Sequence, residues 1–124
     1  MLSFREFEAG PDPFGRKYTV LLKWLQTAIA IRHADTVDVK FILTGEDGIA
    51  TEKTIALPLP GLLETARANG RAMDDAWCGR IAALHLLEVV VTGEDMDKDL
   101  VTLQPADLAR QAAKLAAEEK TAAS

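Results

Sequence analysis

Between Thr36 and Leu57 the chain alternates apolar and polar residues, turns, and alternates again. Val37, Val39, Phe41 and Leu43 take every second place, with Asp38 and Lys40 between them. Thr44, Gly45, Glu46, Asp47 and Gly48 follow as a loop, then Ile49 to Leu57. A period of two marks a strand with one buried face, because successive side chains point to opposite sides of the pleat. If Leu43 faces Ile49, then Phe41 faces Thr51, Lys40 faces Glu52 and Val37 faces Ile55. One face becomes largely apolar and the other carries an opposite-charge pair. That is the pattern of an antiparallel hairpin with one wet face. Ile42 on the polar side and Lys53 on the apolar side break it, which points to an edge or an interface.

Residues 16–57 are expected to form an antiparallel meander of three or four strands. Arg16 to Arg32 reads in two ways. As a helix from about Lys17 to Ala30 it would align Leu21, Leu22, Leu25 and Ile29. As strand, Tyr18, Val20, Leu22 and Trp24 alternate, and parity then switches to Ile29 and Ile31. The β-branched and aromatic content favours strand, with a bend or bulge near Gln26 and Thr27. Ile29 and Ile31 can then pair with Val39 and Val37 across a loop of His33, Ala34 and Asp35. Residues 1–15 read as an irregular arm, since Gly10, Pro11, Asp12 and Pro13 oppose a regular element. Phe4, Phe7 and Phe14 should keep that arm against the body or a partner.

Residues 58–124 read as the helical half. Pro60 suits the first position of a helix to about Ala68, closed by Asn69 and Gly70. Asp74 or Asp75 can cap a second helix, about Ala76 to Thr92, with Gly93 as its stop. That helix is apolar around most of its circumference, as a central helix is. Asp97 to Leu103 is a short linker or strand. Pro105 opens a last helix to about Lys120, with Asp107 in its first turn where the dipole favours an anion. The expected fold class is α+β, one domain, with two or three helices packed on one face of the meander.

The chain has 124 residues, 48% of them hydrophobic and 27% charged, with a formal net charge of −5. A chain this long buries enough surface to fold without disulfides or a structural metal. A negative surface disfavours nucleic acid and anionic membranes. Charged residues interrupt every apolar stretch before the ~20 residues of a membrane span. Met1 to Gly10 has no apolar run of the signal-peptide kind, so the expected compartment is the cytoplasm.

Five residues are candidates for ligand binding: Trp24, His33, Trp77, Cys78 and His85. Cys78 and His85 are nearly two helical turns apart and face one side, about 10 Å from each other along the axis. That distance rules out a direct thiolate–imidazole pair. The plainer reading is a small buried thiol and a hydrogen-bonded core histidine. His33 beside Asp35 and Asp38 has the composition of a base or metal ligand, but also that of an ordinary hairpin turn. Both tryptophans are more commonly core residues than platforms. Asp95, Asp97 and Asp99 open with calcium-loop spacing, then Leu100 and Ala106 stand where glycine and a bidentate glutamate are needed. No metal, cofactor or catalytic residue is assigned. The expected function is a small soluble non-catalytic interaction or assembly protein, binding a second copy of itself or another protein. The alternative is a small-molecule-binding protein or small enzyme with its pocket between sheet and helices.

Overall fold

The computed structural model describes residues 3–28 and 35–123. Eight elements follow in order: β1 Glu6–Ala9, β2 Tyr18–Ala28, β3 Thr36–Gly45, β4 Ala50–Pro58, α1 Leu59–Ala68, α2 Asp75–Thr92, β5 Leu100–Thr102 and α3 Pro105–Ala123. The strands form one sheet in the order β1-β2-β3-β4-β5. The first four are antiparallel, and β5 joins β4 in parallel. The fold is therefore α+β, a meander followed by helices, with a mixed five-stranded sheet. Among the described residues no helix is long and apolar enough to cross a membrane.

The β3–β4 hairpin forms, but in a register two residues away from the one the charges suggest. Leu43 lies opposite Thr51, Phe41 opposite Lys53, Lys40 opposite Thr54 and Val37 opposite Leu57. The reason is the turn. Gly48 takes φ 82°, and Gly45 exchanges backbone bonds with Gly48 and Ile49. The Ile49 amide also donates to Asp47 Oδ1. A three-residue connection closed by a left-handed glycine is tighter than the expected five-residue loop. Because the shift is two, each residue keeps its face. Lys40 and Glu52 still meet, diagonally, at 3.5 Å.

Upstream, Tyr18–Ala28 is one long strand and the helical alternative falls away. Its irregularity lies between Leu22 and Trp24, not at Gln26 and Thr27. Lys23 is the extra residue, and its ammonium reaches Glu52 at 2.9 Å. Val39 and Val37 pair with Leu25 and Thr27 instead of Ile29 and Ile31. Ile29, Ile31 and His33 lie outside the described residues. The arm is less irregular than expected, since Glu6–Ala9 adds an edge strand to β2. Phe7 and Ala9 alternate toward the core there, Phe7 edge-on to Phe41 with ring centroids 5.9 Å apart.

Val20, Val37, Val39, Phe41, Leu43, Ile55 and Leu57 share one buried sheet face and one apolar cluster with the helices. The helix α2 is central, with Ile81, Leu84, Leu86 and Val90 all buried. Asp74 caps it by accepting from the Trp77 amide at 2.8 Å, and Gly93 ends it at φ 75°. One side of the sheet is thus roofed by helices. Every second residue of β2, β3 and β4 faces the other way.

Candidate functional site

The four described candidate residues do not share one site. Trp24 is half-buried on the uncovered face of the sheet, with Lys40 Nζ 5.1 Å from its ring centroid. Trp77, Cys78 and His85 are buried on α2, across the sheet from Trp24. His33 lies outside the described residues. Burial, with Asp75 and Asp74 adding to it, pushes the Cys78 thiol up to about 12. A thiol so far from ionising is an inert core group.

His85 belongs to a network joining α2 to α3. Its Nδ1 lies 3.1 Å from Gln111 Nε2, both side chains being buried. Burial holds His85 below its ordinary 6.5, although Asp107 and Glu88 pull upward. The neutral ring then accepts at Nδ1 from the Gln111 amide. Ligand atoms of His85, Glu88 and Asp107 come within 4.8 Å of one another, a spacing that suits a metal. Arg110, however, donates to both carboxylates, at 2.9 and 2.7 Å to Glu88 and 2.7 Å to Asp107. Hydrogen bonds from Arg110, and then from Lys114, hold the Glu88 carboxyl near 2 despite its partial burial. A cation here would have to displace a guanidinium, so the cluster reads as a clamp between helices.

Two surfaces remain. The first is the uncovered sheet face. Leu21, Ile42 and Glu52 form one cross-strand row, and Trp24, Lys40, Thr54 and Leu100 the next. Leu21 is 43% exposed and Leu100 55%. Lys23 and Lys40 both pair with Glu52. Lys23, first in importance, draws the Glu52 carboxyl below its ordinary value. Among the described residues no helix covers this face.

The second is a cleft of about 670 Å³ on the opposite side, where the hairpin end of the sheet outruns the helices. Its walls are the β1–β2 loop at 15–18, the β3–β4 turn at 45–49 and the loop after α2 at 96–97. Each wall is fastened by its own polar anchor. Buried Asp12 accepts from the amides of Phe14 and Arg16, from Arg16 Nε and from the Tyr18 hydroxyl. Burial alone would raise its carboxyl, but these bonds, those from Arg16 foremost, outweigh it and lower it. Asp47 fastens the turn. Lys53, buried on the core face of β4, donates to the carbonyls of Asp95, Met96 and Lys98. Burial lowers its ammonium, and Asp99, Asp97 and Asp95 partly restore it. The acidic loop with calcium-like spacing thus closes around a tethered lysine.

Sequence reasoning passed over Asp12 and the cleft. Lys53 was visible as a charge out of phase on an apolar strand, and Asp95, Asp97 and Asp99 as an acidic run. Their meeting needed the third dimension. Comparison with known proteins finds no matching family model, no similar curated protein and no similar solved structure.

Proposed function

We propose that this protein is a non-catalytic interaction protein that assembles with a second copy of itself through the uncovered face of its sheet. One observation carries this reading. A sheet whose described helices all lie on one side presents Leu21, Trp24, Ile42 and Leu100 on the other. Leu21, Ile42 and Trp24 are neighbours there, Leu100 is set apart by Lys40 and Thr54, and apolar side chains grouped on a sheet without a cover are the usual mark of an interface.

The charges favour a second copy as the occupant. A twofold axis across the strands, between the Leu21 row and the Trp24 row, sets Leu21 against Trp24 of the second copy. The same operation sets Ile42 against Lys40 of the second copy and leaves Lys40 one strand from Glu52 of the second copy. Such an isologous contact is self-complementary. Strands β2 to β4 give a footprint of roughly 500 Å² in plan. The edge strands and side-chain relief carry it toward the about 800 Å² per partner of a standard interface.

Sedimentation velocity across a wide concentration range tests the proposal. The expected result is a dimer that Leu21→Glu and Ile42→Glu each convert to a folded monomer. A chain that stays monomeric at every concentration overturns it, as does a dimer indifferent to both substitutions.

A further inference from the structure

We propose that the sheet-end cleft is a binding site for a small organic cation, an amine or guanidine carried on an apolar alkyl or aryl body. It is separate from the self-association surface, because Tyr18 and Thr51, which line it, share the helix side of the sheet with Val20 and Leu43. Its volume of about 670 Å³ suits a small ligand.

The lining sets the chemistry. Tyr18, Ile49 and Met96 provide apolar wall, and Ile49 is 65% exposed. Glu46, Asp47 and Asp97 line the same space, against Arg16 and Lys17. Arg16 is already committed, its Nε 2.8 Å from Asp12 and its guanidinium over the Phe14 ring. Lys53, behind the wall, is committed to three carbonyls. Glu46 and Asp47 each accept one backbone amide, from Lys17 and Ile49, and each carboxylate has acceptor capacity left. Asp97 makes no hydrogen bond among the described residues, and its charge acts only at a distance on Lys53 and Lys98. With Arg16 taken by Asp12, the described lining residues leave three carboxylates against Lys17, so the balance of charge in the cleft is negative. A ligand with a cationic head and apolar body satisfies both parts of the lining. The three anchored walls lower the ordering cost that a loose surface would incur on binding.

Two probes with the same aryl body and opposite charge decide the matter: phenethylamine and 3-phenylpropionate, titrated into ¹⁵N-labelled protein. Phenethylamine is expected to shift amides at 15–18, 45–51 and 96–97, saturably, and less strongly as salt is added. The carboxylate is expected to leave them in place. Asp97→Asn should weaken the amine about three-fold, the scale of one exposed ion pair, and Glu46→Gln similarly. Equal shifts from the carboxylate overturn the proposal. So do shifts scattered away from the cleft, or none up to roughly 20 mM, the range a fragment this small reaches. The wild-type comparison of the two probes stands whatever the variants do to folding, and the oligomeric state does not enter the readout.

Discussion

Lys53 sits opposite Phe41 on the core face of the sheet, where an apolar residue is the rule. A charge can be kept there only because its ammonium meets three backbone carbonyls at the edge of the core. The same bonds hold the 95–98 segment, in which Asp95 takes the left-handed φ of 63°. Lys53→Met keeps the stem in the core and removes the donor. It should lower stability by about 1–3 kcal/mol, the cost of stranding partners of a buried charge. Urea denaturation reads that loss, and faster amide exchange confined to 94–99 would localise it. Asp12 makes the complementary case, a carboxylate ringed by four donors that shapes its loop from inside. Neither role follows from residue type. The out-of-phase charge of Lys53 is visible in one strand, but its acceptors lie more than forty positions downstream.

At the scale of elements, α2 is placed by a contact its own periodicity hides. Gly79 lies in the second turn of the helix, inside it, where glycine is costly. A Cβ there would stand 2.4 Å from the Phe4 ring. The missing side chain makes the notch into which the arm drops its aromatic anchor. Gly79→Ala should unseat Phe4 and cost about 1–3 kcal/mol, as overpacking does. On a Phe4→Ala background the same substitution should cost nothing further, and a double-mutant cycle by chemical denaturation measures the coupling. Element types were largely legible beforehand, because alternation, caps and helix stops are local. The Asp74 cap and the Gly93 stop are where local chemistry puts them. Strand β1 was not, because four residues between an arm and a Gly-Pro turn carry too little pattern to show an edge strand. The hairpin register escaped as well. Pairing by charge favoured Lys40 against Glu52, whereas the turn geometry won and left that pair diagonal.

For the molecule as a whole, stability should fall on acidification in two stages. His85 is held below 6.5 in the folded state, so the unfolded chain takes up a proton first. Its contribution is present above 6.5 and declines as pH drops through and below that value. Glu88 is held near 2 against an ordinary 4.5, so its contribution is lost between those values. On the alkaline side Cys78 works in the opposite sense. Its thiol is raised from 9.0 to about 12, so the stability it provides is intact below 9.0 and lost as pH climbs above it. Thermal midpoints measured from pH 3 to pH 10.5 should show the acid decline begin near 6.5, and His85→Phe should remove that first stage.

What the sequence determined by itself is the class of fold: a meander, then helices, with one apolar face to roof. Hydrophobic period, capping residues and turn residues act over a few positions, so they are written where they act. Tertiary structure alone decided which groups meet. It separated Trp24 from Trp77, Cys78 and His85. It joined His85 to Gln111 and Lys53 to its loop, and it brought three distant turns together around one cleft. Those encounters depend on register, bulge position and helix placement. Each of these is set by long-range packing, so it is not written at the residues it affects.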